Sequence, residues 1–519
     1  GTKKPVAWKV IGYSEDNGIT WTTTKPAWLK SLTKESGNGG TAAEQGTATL
    51  GTDIVDLVAK RNKEMQEAKA LGSEAKPYNL SNSAGEAEVQ NTANCYLISA
   101  PGYYMIPLVY GNAIKNNNEN YVAYQFSGSA SFINVNGEKR VNILPKFVDH
   151  DGKEINNPWI EKTNGKANNG INGAQIVWSD EANLVNLASN PIYRDSNGNA
   201  FVKFEVTKAN IKSGNAVIAV KKGNTIVWSW HLWFAPKNAL DKIPVTNKQN
   251  KVYNFTNEAL GWKPTKWTGT SYSTPRTVKV KVEQTIANNG VKQTTVITIT
   301  QNAGITERRG NTTLYQWGRK DPFPSTNPAV GTLFKPNAGN QIYMQAIIQN
   351  PGYFYVTEGG STIPGSSYLT RYYYFYNLWS VNNTETNGND NAVVKTIYDP
   401  SPVGFQVPAS NAFTGFTSNG VNQGTKMVDG TEVPATYNSQ TGHIFWTNSE
   451  KKATIYFPAT GYRENGNGNI VDLNVSANYW TAIPKDLNNG RCFAFSQADV
   501  YPLHSSARTF GLGVRPVAE

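Results

Sequence analysis

Four histidines, His150, His231, His443 and His504, are the natural starting points for acid–base or metal chemistry, and none stands in an HxH, HExxH or HxxxH spacing. Zinc chemistry uses such spacings to bring two imidazoles to one side of an element. No GxSxG elbow, GxxxxGK[ST] phosphate loop or dinucleotide fingerprint occurs either. His150 lies in "VDHDGKE", where Asp149, Asp151 and Gly152 resemble the opening of a calcium loop. The twelfth place of that loop falls on Ile160 where a bidentate glutamate is needed, so a turn between two strands is expected. Acidic residues concentrate in hydrophilic turns such as "SEDNG" and "NGND". A binding role without catalysis, and without metal or cofactor, is therefore expected. The alternative is an unrecognised glycoside hydrolase, because its two carboxylates need only be neighbours in space.

Two further stretches have binding chemistry. "RENGNGNIVD" places Asn465, Asn467, Asn469 and Asp472 at spacings that suit oxygen ligands for a cation, and an Asn-Gly hairpin explains the same residues without one. The aromatic run "LTRYYYFYNLWS", residues 369–380, reads as a buried element or as a surface on which sugar rings stack. The candidate ligand contacts are Trp379, Asn465, Asn467, Asp472 and Arg508. "VWSWHLWF", residues 227–234, is the densest aromatic segment. Period two puts Trp228, Trp230, Leu232 and Phe234 on one face and Val227, Ser229, His231 and Trp233 on the other. The first face suits a sandwich core. On the second, His231 is expected to be hydrogen-bonded.

The elements that must position these residues are mostly strands. The chain has 519 residues, only 17% of them charged, with 26 tyrosines, 14 tryptophans and 46 glycines, a composition that suits β modules joined by tight turns. The net charge is +11, but the lysines alternate with apolar residues, as in "RTVKVKVEQ", and form no basic block for nucleic acid. Cys95 and Cys492 are the only cysteines, too few for a disulfide framework. No apolar run reaches the ~20 residues that span a bilayer. The start "GTKKPVAWKV" has no signal-peptide core, so an exported form would have lost its leader.

Along the chain, "VAWKV" and "ITWTTTKPAWLKSL" read as strands, and a helix is expected over 52–71, capped by Thr52 or Asp53 and ended by Gly72. "GNAVIAVKKGNTIVWSWHLWF" reads as a hairpin turning at Gly-Asn. "RTVKVKVEQTIANNGVKQTTVITITQ" reads as a second, with Val278, Val280 and Val282 on one face and a type I′ turn at Asn289-Gly290. From about Ile305 the composition shifts to Tyr, Asn, Pro and Gly, as in a loop-rich α+β module.

Several phrases carry a family resemblance. "GYSEDNGITWTTTKPAWLKSLTKESGNGG" resembles the BACON-type Ig-like modules of Bacteroidetes surface proteins. "NTANCYLISAPGYYMIPLVYGNAIKN", "NAVIAVKKGNTIVWSWHLWF" and "TLYQWGRKDPFP" resemble fimbrillin-like exported lipoproteins. "KTIYDPSPVGFQVP", "NYWTAIP" and "FGLGVRPV" resemble the Fibrobacter succinogenes major paralogous domain, related to the C-type lectin-like fold. The resemblance implies a mainly β chain of tandem Ig-like sandwiches followed by an α+β C-type lectin-like module. Its divisions would be 1–75, 76–236, 237–305 and 306–519. It implies an exported adhesin of the cell surface or outer membrane, of fimbrial-tip type, that binds a glycan or host ligand through the last module. Other fimbrial subunits would be partners by strand complementation, and a lipid anchor would belong to the precursor. The alternative is an accessory carbohydrate-binding lipoprotein of a polysaccharide-utilisation system. Where the family phrases carry cysteines this chain has Ser401 and Pro516, so packing around Phe405, Trp480 and Phe510 must replace a disulfide. The EPN or QPD and WND triplets of calcium-dependent lectins are absent, and Cys492 stands without the second cysteine of a formylglycine-generating site. The resemblance thus implies a binding scaffold.

Overall fold

The computed structural model describes residues 4–126, 128–135, 137–327, 329–331, 337–338, 343–356, 375–429 and 441–519. Strand accounts for 43% and helix for 7%, with many antiparallel sheets, so the chain is a mainly β protein. It divides into two compact units, Gly1–Leu57 with Trp267–Glu307, and Val58–Lys266 with Arg308–Glu519.

In the smaller unit one sheet runs in the order Thr294–Gln301, Arg276–Gln284, Trp8–Ser14, Ser36–Gly37. The alternation of "RTVKVKVEQ" drives it: Val278, Val280 and Val282 are buried while the lysines between them reach water. Asn289 (φ 52°) and Gly290 (φ 78°) both take left-handed backbone, as a type I′ turn requires. Trp8–Ser14 pairs antiparallel with Arg276–Gln284, so strands of the expected segments 1–75 and 237–305 share this sheet. Leu29–Leu32, paired with Ala48–Leu50, supplies a second layer. Tyr13, Trp28, Leu29, Val278 and Val280 form the core between them.

The helix is shorter than its sequence pattern suggests, running Leu57–Glu67. Ile54–Asp56 forms a strand instead, paired with Thr268–Thr270. Ladder hydrogen bonds there replace the first helical turn, a choice made by a partner two hundred residues away and not by local capping. Arg61 and Met65 are its buried residues. The Arg61 guanidinium donates to both carboxylate oxygens of Glu258 and to Ser213 Oγ.

The larger unit is built around a five-stranded sheet in the order Val330–Gly331, Gly173–Ser179, Gly214–Lys222, Thr225–Phe234, Cys95–Ile98. Gly214–Lys222 and Thr225–Phe234 make the expected hairpin, and from Val227 to Phe234 every residue is buried on both faces. A four-stranded sheet (Asn186–Arg194, Ala200–Val206, Gly102–Pro107, Tyr78–Asn79) belongs to the same unit. So does a C-terminal sheet (Ile470–Leu473, Thr460–Arg463, Ser476–Pro484, Asn489–Ser496, Val500–Ala507). One hydrophobic cluster joins Phe204, Trp228 and Trp230 with Trp379, Trp480 and Phe493, so residues of the expected segments 76–236 and 306–519 share a core. The Tyr398 ring stacks on Trp228 at 6.2 Å. Ser401 and Pro516 are buried. Phe405–Gln406 pairs directly with Val517–Ala518, so a backbone ladder joins these two stretches. Trp480 and Phe405 are buried and Phe510 packs at the margin.

Candidate functional site

The histidines take structural places. His231 sits in the sheet with Nε2 2.9 Å from Asn215 Oδ1 and Nδ1 3.3 Å from the Tyr315 hydroxyl. Burial pushes its imidazole down to about 3, so it is neutral at physiological pH. His443 contacts the Ser496 carbonyl at 2.8 Å, and burial pushes it down to about 4. Burial also lowers His150 and His504. The "VDHDGKE" segment is the expected turn, since Val148 bridges Glu154. The Asp149 carboxylate accepts from the backbone N–H of Asp151 and Lys153 and from the side-chain amides of Asn164 and Asn168, which occupies both oxygens with protein donors. Among the described residues no group of three His, Cys, Asp or Glu could hold a metal ion.

A second buried network hides in "GRKDPF". Lys320 Nζ donates to Ser229 O (2.9 Å), Ser229 Oγ (2.7 Å) and Asp321 Oδ1 (2.7 Å), and Ser229 Oγ donates to Asp321 Oδ1 (2.6 Å). The ammonium lies 4.3 Å from the Trp228 ring centre. Burial lowers Lys320 to about 8 against the pull of Asp321. A hydroxyl beside a depressed lysine is the composition of a nucleophile–base pair. Here the hydroxyl proton points to a carboxylate and Ser229 is fully buried, so no substrate reaches it. The network holds the tryptophan strand to the "GRKDPF" segment.

The candidate contacts named from sequence fall into two groups. Trp379 is fully buried, its indole N–H donating to the Arg319 carbonyl. Arg508 is also buried, donating to the carbonyls of Phe375 and Asp486. Both flank Trp317: the Trp379 ring lies 5.6 Å from it and the Arg508 guanidinium 4.2 Å from its centre. This pair is core packing around Trp317 and is closed to a ligand. Residues 369–374 of the aromatic run lie outside the described residues. Asn465 is half-buried and Asn467 exposed in the turn between Thr460–Arg463 and Ile470–Leu473, and Asp472 is exposed within the second of these strands, near its far end. Asn467 Oδ1 accepts from Asn469 N and shapes that turn, whereas Asp472 takes positive φ (54°) and its carbonyl accepts from Val475 N at the next turn.

The larger unit has a cleft of about 690 Å³, within the range of small-molecule sites. Several short segments build it. The hairpin Ile114–Lys115/Asn118–Glu119 turns on Asn116 (φ 51°) and Asn117 (φ 63°). The strand Val252–Thr256, the loop 391–395, the segment 403–406 and the C-terminal strand Val517–Ala518 also line it. Asn116, Asn254, Asn391 and Gln406 line it with amides, while Val252, Val394 and Val403 are exposed apolar patches between them. Lys115 and Lys395 pair with Glu519. Burial raises the Glu519 carboxyl, but the two lysines outweigh it and hold the group below the ordinary glutamate value. Lys251 Nζ donates to the Asp390 carbonyl (2.6 Å), and the Tyr253 hydroxyl donates to Asp390 Oδ1 (2.6 Å). Amides both donate and accept, which matches polyol hydroxyls, and the valines suit C–H faces. Sequence reading passed over these residues. Their one local signal, the run "IKNNNEN", says turn but not cleft.

The smaller unit has its own groove, about 590 Å³, lined by Trp8, Val10, Leu32, Val282, Ile297 and Ile299 among others. Among the described residues no helix is long and apolar enough to cross a membrane. No protein-family model matches the chain, and neither the curated proteins nor the solved structures give a significant match.

Proposed function

We propose that the chain is an exported, non-catalytic cell-surface adhesin of fimbrial-tip type that binds a glycan or host ligand. The observation that carries this reading is the amide-lined cleft, where half-buried Asn254 and Gln406 and exposed Asn391 lie among exposed valines. In the finer reading of the fold the chain is a series of tandem Ig-like sandwiches ending in an α+β C-type lectin-like module, as the sequence phrases imply. Assembly with other fimbrial subunits by strand complementation belongs to the same reading. The test is a glycan array probed with the full chain and with the double variant Asn254→Ala/Gln406→Ala. Two lost hydrogen bonds at about 1 kcal/mol each should weaken binding about thirty-fold. A chain that binds no glycan above background sinks the glycan reading, and release of reducing ends during incubation replaces it with hydrolysis.

A further inference from the structure

The strand Thr294–Gln301 pairs on one side with Arg276–Gln284 through eight residues, and it is the outermost strand of its sheet. Its sequence, TTVITITQ, contains no charge, proline or glycine. Folded proteins normally blunt a free edge with lysine, proline, bulges or brevity. In this chain the other outer strands of comparable length are blunted in that way. Asn186–Arg194 has Pro191, Arg194 and a register break. Lys242–Thr246 has Lys242 and Pro244, and Ile305–Asn311 has Glu307, Arg308 and Arg309. Val500–Ala507 has Pro502, His504 and a register break against its neighbour. Among the described residues, in sheets of three or more strands, Thr294–Gln301 is the one long outer strand left unblunted. Val296 and Ile297 are 43% and 53% exposed on it.

We infer that this edge pairs with the same edge of a second copy, antiparallel about a two-fold axis, making one continuous sheet across the pair. This goes beyond the adhesin reading and does not depend on it. Self-pairing is favoured by the residues themselves. A register centred on Thr298 sets Ile297 of each copy opposite Ile299 of the other, and Val296 opposite Thr300, so two apolar β-branched contacts form on one face. Ile297 and Ile299 lie on the face of Val278 and Val280, their ladder partners, so the new contacts extend an existing apolar row. Charge does not oppose the pairing despite the net +11. The nearest strand lysines, Lys279 and Lys281, sit one strand in from the edge on each side. Three strand spacings, about 14 Å, would separate the two sets, more than the screening length of about 8 Å at physiological salt. A two-fold contact of this kind closes on itself and ends at a dimer.

Sedimentation velocity of the full chain across the micromolar range tests this, alongside Thr298→Lys. That exposed substitution leaves the core untouched and sets two ammonium groups opposite each other at the axis. A concentration-dependent dimer is expected for the wild type, weakened at least about ten-fold in Thr298→Lys. In a second measurement, Thr298→Cys should form an intermolecular disulfide and Lys279→Cys should not, since opposed Cβ atoms at the axis lie about 4.5–5.5 Å apart. The native cysteines are buried and do not compete. A wild type that stays monomeric, a dimer indifferent to Thr298→Lys, open-ended oligomers, or equal cross-linking at both positions would each overturn the inference.

Discussion

Two hairpins of this chain have nearly the same local grammar and opposite surroundings. Gly214–Lys222 with Thr225–Phe234 and Arg276–Gln284 with Thr294–Gln301 are both antiparallel strand pairs rich in β-branched residues and joined at a turn with left-handed Gly or Asn residues. The first lies inside a five-stranded sheet and is covered on both faces, and even Ser229 and His231 are buried there. The second buries one face of one strand and ends the sheet with the other, seven of whose eight residues are exposed or half-exposed, Val296 and Ile297 among them. Period-two patterning assigns residues to faces, and neighbouring elements decide how many faces are dry. Buried polar groups follow the same division. Lys320, Asp321, Ser229 and His231 find partners inside the larger unit, while the lysines of Arg276–Gln284 stay solvated.

The comparison breaks most sharply at Trp228. Trp228→Ala removes a ring enclosed by Tyr110, Tyr398 and the Lys320 ammonium, and should cost about 3–5 kcal/mol in denaturant unfolding. An unfolding midpoint that hardly moves would mean the tryptophan strand is not core. Next is the Arg61–Glu258 pair, where both side chains are under 10% exposed. Arg61→Leu leaves a buried carboxylate unpaired and should cost about 3 kcal/mol, whereas the double variant Arg61→Leu/Glu258→Leu should recover most of it in a mutant cycle.

Acid should distinguish the units as well, because all four histidines lie in the larger one. His231 is held at about 3 when folded, against 6.5 for an exposed imidazole. Between those values the unfolded chain takes up a proton that the folded chain does not. Stability due to this group is therefore full above pH 6.5 and is lost as pH falls, by about 1.4 kcal/mol per pH unit. Asp180 and Asp399, raised by burial, act in the opposite sense, so the quantity to measure is wild type minus His231→Gln. That difference should shrink from pH 6.5 toward 4 in hydrogen exchange of the larger unit and leave the smaller unit's profile unchanged. The smallest effect belongs to the exposed edge: Ile297→Thr should change monomer unfolding by no more than about 1 kcal/mol, in contrast with the tryptophan strand.

Much of the local structure was legible from residue order. The Asn289-Gly290 turn, the valine face of Arg276–Gln284, the Gly-Asn hairpin and the turn at Asp149 all follow from backbone preference and period two. The helix start was misread because capping logic weighs only neighbours, and the competitor for Ile54–Asp56 was a strand at Thr268–Thr270. Trp379 and Arg508 have side-chain types that suit ligands as well as cores, and the carbonyls that receive their N–H groups belong to distant segments. The cleft was invisible for the complementary reason. Its amides come from segments hundreds of residues apart, each of them an ordinary turn or strand end by itself.

The amino-acid order by itself thus determined that this chain is mainly β, where many of its strands turn, and which face of each strand is apolar, because those properties depend on sterics and spacing within a few residues. Tertiary structure decided which strands became neighbours, which polar groups were buried with partners, where a cleft opened and which edge was left bare. Those outcomes depend on which distant surfaces meet, and the free energy of such contacts is not encoded in any single segment.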